Sequence, residues 1–99
     1  MAPARMLLAA ALAVPLSCFS QDNTAARSLA ATCANCHGTE GRSVTREVPS
    51  LAGLPRQHIV SQMKAFKDGS RPATIMHQLA KGYTDQQIEL MADYFAARK

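Results

Sequence analysis

The residues best suited to chemistry are concentrated in one short segment, Cys33-Ala34-Asn35-Cys36-His37. Two thiols three positions apart lie on one side of a helical turn, and an imidazole follows immediately. Cys-x-x-Cys-His is the attachment signature of c-type haem. The two thiols add to the vinyl groups of the porphyrin, and the histidine becomes the proximal ligand of the iron. We therefore expect Cys33, Cys36 and His37 to hold one covalent haem c.

Three other uses of this cysteine pair stay open. A structural zinc site needs two further ligands, and His37, His58 and His77 do not have the spacing of a zinc finger. A thioredoxin-like redox pair needs a βαβ context, and the residue pattern shows no strand. A plain disulfide across two residues closes a very short loop and gains little from the cross-link. Haem attachment is the preferred interpretation.

The first 20 residues have the features of a secretory signal peptide. Arg5 supplies a positive charge, an apolar run over residues 6–16 follows, and the sequence then turns polar. The run is too short to span a bilayer, which takes about 20 apolar residues. We expect cleavage after Ser20, export to the periplasm, and a mature domain over residues 21–99. The alternative is a lipid attached to Cys18, which lies in a weak match to a lipid-attachment box.

Composition limits the mature chain to one small domain. The full sequence has 99 residues, a formal net charge of +4, 47% hydrophobic residues, 18% charged residues and no Trp. This length excludes a barrel enzyme or a two-domain dehydrogenase. The charge is too modest and too scattered for a nucleic-acid surface. A chain this short rarely builds a sufficient core alone, so a covalent haem would supply the missing apolar volume.

The residue pattern predicts helices and loops throughout the mature chain. A first helix has N-cap candidates at residues 22–24, runs towards Cys36 and ends at Gly38. Residues 38–54 form a loop, because glycine and proline recur along them. The first helix therefore carries the thiols, and the loop follows the histidine directly.

Two further helices complete the predicted all-α fold. One covers about residues 55–68 and ends at Gly69. The last covers about residues 85–98, behind a capping box that starts at Thr84. Between them we expect a short helical turn after Met76. The apolar period places these side chains on the inner faces: Ile59, Met63 and Phe66, then Ile88, Met91, Ala92 and Phe95.

The sixth ligand of a haem iron decides what such a protein does. The donors available in the mature chain are Met63, Met76, Met91, His58, His77 and Lys81. Met63 and Met91 fall at core-facing helical positions, where methionine usually packs. Met76 lies between the second and last helices, where a methionine can be brought over the distal face. Its neighbour His77 is the obvious competitor.

Taken together, these segments resemble a class I c-type cytochrome, an all-α fold in which about three main helices and their loops surround one haem. The likeness covers nearly the whole mature chain. Its segments are CANCHG at 33–38, VPSLAGLP at 48–55, the helix at 57–76 and YTDQQIELMADYFA at 83–96. The run RPATIM, followed by Lys-Gly-Tyr, is most similar to the cytochrome subunit of flavocytochrome c sulfide dehydrogenase. Short cytochromes of the c4 and c553 kind are also similar.

The resemblance implies roles for two more residues. In the family the methionine ligand follows a Gly-x-Arg stretch, here residues 69–71, which points to Met76. A proline carbonyl in the loop after the signature accepts the second N–H of the ligating histidine, and Pro49 occupies that place. With His37 and Met76 on the two axial positions, no substrate reaches the iron. The protein is then expected to be an electron carrier and not an enzyme.

The resemblance further implies a partner, a sulfide-oxidising flavoprotein with which this chain would form a heterodimer and from which it would accept single electrons. Four cations fall near the segment expected to border the haem, and they would steer an acidic surface: Lys64, Lys67, Arg71 and Lys81. Two alternatives stay open. One alternative is a free shuttle that carries electrons to an oxidase or reductase. The other is a ligand-binding haem protein with an open distal site.

Overall fold

A computed structural model describes residues 21–98, together with the isolated positions 3, 4, 10, 11 and 13. Its elements are α1 (Gln21–Ala31), α2 (Ala34–His37), a 3-10 turn (Thr39–Gly41), α3 (Arg56–Asp68), α4 (Met76–Ala80) and α5 (Asp85–Ala96). This part of the chain contains no strand, and the predicted all-α fold is confirmed. None of its helices is long and apolar enough to cross a bilayer.

The expected signal peptide over residues 1–20 falls almost entirely outside the described residues. The cleavage point after Ser20 and the alternative lipid site at Cys18 both lie outside them. Both remain expectations drawn from the sequence.

The first helix, predicted to run without a break, is divided in two. α1 ends at Ala31, and a turn at Thr32 and Cys33 precedes α2. The Thr32 hydroxyl donates to the Leu29 carbonyl at 2.7 Å, and side-chain bonds of this kind compete with the hydrogen bonds of the helix itself. Gly38 ends α2 as predicted, with φ +88°. The thiols therefore lie on a separate turn that can take its own orientation.

The core lies where α1, α3 and α5 meet. α5 supplies a row of side chains that are at most 2% exposed, which confirms its predicted inner face: Ile88, Met91, Ala92 and Phe95. Of the face predicted for α3, Ile59 is buried and Met63 is partly buried against this cluster. Phe66 is half-buried, with the Arg71 guanidinium 4.6 Å from its ring centre. Burial of these apolar faces fixes how the helices cross.

The ends of the two long helices follow local chemistry. The predicted capping box is present, because the Gln87 amide donates to the Thr84 hydroxyl at 3.1 Å and the Thr84 amide donates to the Gln87 side chain at 2.9 Å. α5 ends at Ala96, two residues before the predicted end. α3 begins one residue after Pro55, and Gly69 ends it in the left-handed conformation at φ +83°. The predicted turn after Met76 is α4.

Candidate haem site

α2 and its N-cap residue Cys33 hold the two thiols and the imidazole in one helical turn. The His37 amide donates to the Cys33 carbonyl at 2.9 Å. Both thiols are free, with Cys33 half-buried and Cys36 exposed. Burial raises the pKa of the Cys33 thiol, and the neighbouring Cys36 adds to this rise. Cys33 is therefore a neutral group at neutral pH, in surroundings that suit an uncharged thioether.

A backbone carbonyl orients His37, whose exposed fraction is 8%. Its Nδ1 lies 2.7 Å from the Pro49 carbonyl oxygen. Because a carbonyl oxygen only accepts, Nδ1 carries a proton, and in the neutral imidazole Nε2 holds the lone pair. This is the arrangement of a metal-ligating histidine whose other nitrogen is held in place. The structure thus brings His37 and Pro49 together, as the resemblance implied.

Gly41 anchors the loop that carries Pro49. Its carbonyl accepts from the amides of Leu51 at 2.7 Å and Ala52 at 3.1 Å, which closes the loop at its base. Its φ is +81°, and a Cβ added there would lie 2.7 Å from the Phe95 ring. Glycine alone satisfies both conditions. The sequence marked this residue as part of a loop and missed its packing against the core.

Met76 begins α4 and is half-buried. α4 packs against α3. Two apolar neighbours of Met76 in the sequence are left on the surface, with Ile75 56% and Leu79 45% exposed. By contrast, Met91 is 2% exposed in the core and Met63 packs against it. Met76 is the described methionine that lies outside the core cluster.

These features fit a covalent haem. The turn offers two free thiols beside an imidazole with a free lone pair, and α4 offers a thioether within an uncovered apolar segment. Residues 21–98 contain no group of three or more His, Cys, Asp or Glu side chains placed to hold a metal ion. The residues present therefore do not assemble the zinc site weighed above.

The remaining histidines differ in burial. His58 is exposed. His77 is half-buried, and its Nδ1 has no hydrogen-bond partner among the described residues. His77 as a competitor of Met76 stays a prediction.

The four cations expected near the haem are not equivalent. Lys67 Nζ donates to the Tyr83 carbonyl at 2.7 Å, and the Arg71 guanidinium lies over an aromatic ring of α3 at 4.6 Å. Lys64 and Lys81 are exposed. Arg71 is exposed as well, so Lys64 and Lys81 differ from it in having no hydrogen bond or ion pair with another described residue.

Comparison with known proteins supports the same assignment. Residues 24–98 match the family model for cytochrome c. Over 67 residues the chain is 45% identical to the cytochrome subunit of sulfide dehydrogenase from Chlorobaculum tepidum, which covers 68% of this chain and 60% of that protein. It is 37% identical over 78 residues to cytochrome c4 from Pseudomonas aeruginosa, with 79% and 39% of the two chains covered.

A third relative is covered almost throughout. The chain is 34% identical over 71 residues to cytochrome c-554(548) from Halomonas halodenitrificans, with 69% of this chain and 86% of that protein covered. The chain thus spans less than two thirds of the first two relatives and most of the third. The chain belongs to the cytochrome c family, whose members carry covalently attached haem c.

Proposed function

We propose that this chain is a monohaem cytochrome that transfers single electrons in the periplasm. Cys33 and Cys36 would hold the haem through two thioether bonds, and His37 Nε2 and the Met76 thioether would bind its iron. The observation that carries the proposal is the 2.7 Å contact between His37 Nδ1 and the Pro49 carbonyl, next to two free thiols in the same turn.

The residues of this chain would act by fixing the orientation of the groups that bind the haem iron. When bound, the haem supplies a one-electron iron couple, and a thioether ligand favours its reduced form relative to a second imidazole. The Pro49 carbonyl fixes the plane of the His37 ring, so the ligand has little freedom to rotate. With His37 and Met76 bound to it, the iron would have no open position for a substrate. Such a site supports electron transfer with little rearrangement.

The partner we infer is a flavoprotein that oxidises sulfide and carries this chain as its haem subunit. Support comes from the 45% identity to a cytochrome subunit of sulfide dehydrogenase. It also comes from the surface beside Met76, where the exposed apolar residues Ile75 and Leu79 lie close in sequence to Lys81. Apolar contact with a basic rim suits an acidic, partly apolar partner.

A reconstitution experiment tests this partner. We expect the purified haem protein, mixed with a sulfide-oxidising flavoprotein, to elute as a heterodimer in gel filtration at low salt. Sulfide should then reduce the haem only when the flavoprotein is present. Elution as two separate proteins at low salt would instead favour a free shuttle.

The exposed lysines provide a second test of docking. In the Lys64→Gln/Lys81→Gln variant we expect electron transfer from the partner to slow at low salt and to depend less on ionic strength. Arg27→Gln is the control on α1, because it removes one exposed positive charge away from α3 and α4, against two in the lysine variant. Equal rates for the lysine variant and the control would contradict a docking role for this surface.

A further inference from the structure

A hydrogen bond joins the turn of the first cysteine to the connection between α4 and α5. The Thr32 hydroxyl oxygen lies 2.6 Å from the Tyr83 hydroxyl oxygen, across 51 positions of sequence. Thr32 has one hydroxyl proton and donates it to the Leu29 carbonyl at 2.7 Å. Tyr83 is therefore the donor in the long-range bond. Thr32 Oγ1 also lies 4.0 Å from Cys33 Sγ, directly beside the haem attachment point.

Tyr83 is itself fixed at a junction of elements. Its amide donates to the Ala80 carbonyl at the end of α4, at 3.2 Å, and Ala80 is fully buried. Its carbonyl accepts from Lys67 Nζ of α3 at 2.7 Å. The next residue, Thr84, caps α5. A displacement of the C-terminal end of α4 would therefore also shift Tyr83.

α4 needs such an anchor. It has five residues and no side-chain cap at its N-terminus. A single helical turn of this length has little stability of its own, so tertiary contacts must hold it in place. Met76 is its first residue, and Tyr83 follows its last turn.

We propose that Thr32 and Tyr83 are positioning residues that hold α4, and with it Met76, at the haem by linking the distal segment to the attachment turn. The proposal rests on the function proposed above, because it takes Met76 as the sixth ligand. The link is made while Met76 is bound and is released when an external ligand displaces the methionine. The free energy of the Thr32–Tyr83 hydrogen bond is then added to the cost of displacing Met76.

Imidazole binding to the oxidised haem protein measures this effect. The titration is followed by the weak far-red band of methionine sulfur bound to ferric iron. In Tyr83→Phe we expect imidazole to bind roughly two- to tenfold more tightly, the range for losing one hydrogen bond. Thr32→Val removes the same bond from its other end and should also raise the affinity for imidazole. The test therefore still works if one of the two variants fails to incorporate haem.

Two further variants separate positioning from general stability. Thr32→Ser keeps the hydroxyl and should restore the wild-type affinity for imidazole. Ile59→Val removes one methylene from the core cluster and leaves both hydroxyl groups of the link in place, with a comparable loss of stability expected. It should leave imidazole affinity unchanged. The Tyr83→Phe/Thr32→Val double variant should bind imidazole no more tightly than either single variant.

Three results would overturn the proposal: unchanged imidazole affinity in Tyr83→Phe, an equal shift in Ile59→Val, or full additivity in the double variant. Failure of the proposed function shows separately. A wild-type spectrum without the far-red band would remove Met76 as the ligand before any variant is made.

Discussion

At the residue scale, one hydrogen bond of His37 prepares the site. The Pro49 carbonyl accepts this bond from Nδ1–H, so Nε2 is the ring nitrogen left for a metal ion. The carbonyl reaches the ring because Gly41 closes the loop at its base. The ligand on the other side is held less firmly, since Met76 begins a helix of five residues. We therefore expect the methionine, and not the histidine, to be the ligand that exchanges.

Replacing the methionine tests its assignment. In Met76→Ala we expect haem to stay attached through the thioethers, the far-red sulfur band to disappear, the reduction potential to fall, and the reduced protein to bind carbon monoxide. Absorption spectra and a redox titration measure these changes. Met63→Leu is the control, because it conserves volume at a partly buried position of α3 and should keep the band. A band retained in Met76→Ala would mean that another residue is the ligand.

The sequence predicts a site residue well when its role depends on a fixed spacing to nearby residues, and poorly when it depends on a contact formed only in the fold. Cys33, Cys36 and His37 are readable because covalent attachment demands a fixed spacing. Pro49 acts through its backbone carbonyl, so its side chain carries no signal and its role came from the family resemblance. The bond between Thr32 and Tyr83 is invisible for a different reason. It joins residues 51 positions apart in sequence, and no local spacing pairs them.

At the scale of elements, the helix ends also differ in whether the sequence predicts them. The start of α5 was predictable because Thr84 and Gln87 satisfy each other within one turn. The break between α1 and α2 was not predictable, because the residue types around Thr32 are compatible with a continuous helix. The hydrogen bond from the Thr32 side chain to the Leu29 carbonyl accompanies the end of α1. Element ends set by local caps follow from the sequence, whereas ends set by specific side-chain contacts need the structure.

Two glycines with nearly the same positive φ give a matched test of the packing role of Gly41. Gly69→Ala places a Cβ in open space at φ +83°, so it should cost about 1–2 kcal/mol of unfolding free energy for the left-handed conformation alone. Gly41→Ala adds a clash with the Phe95 ring at 2.7 Å, so the total should be about 2–5 kcal/mol. Denaturant titration of both haem proteins measures the difference. Equal losses would contradict a packing role for Gly41.

On the scale of the whole molecule, the chain has a small core of its own. Phe95 and Ile88 are the large side chains that are fully buried among the described residues. Around Met76, apolar side chains remain on the surface. A domain of this size commonly depends on a bound group for stability, and the covalent haem of this family provides one. Folding and cofactor attachment should therefore be coupled.

Removing both attachment points tests that coupling. We expect Cys33→Ala/Cys36→Ala to lose haem and most of its helical circular dichroism at room temperature. Asn35→Ala changes an exposed residue between the two cysteines and should keep both haem and helix content. A folded, cooperative apoprotein would contradict the idea that haem completes the core.

The most direct test of the account is the absorption spectrum of the protein exported together with haem-maturation machinery, recorded oxidised and then reduced. We predict a c-type spectrum with the far-red band of methionine sulfur on ferric iron, which establishes covalent haem held by His37 and a methionine. A c-type spectrum with high-spin features and no such band would contradict the closed site and indicate a ligand-binding haem protein. A preparation without haem would contradict the central claim itself.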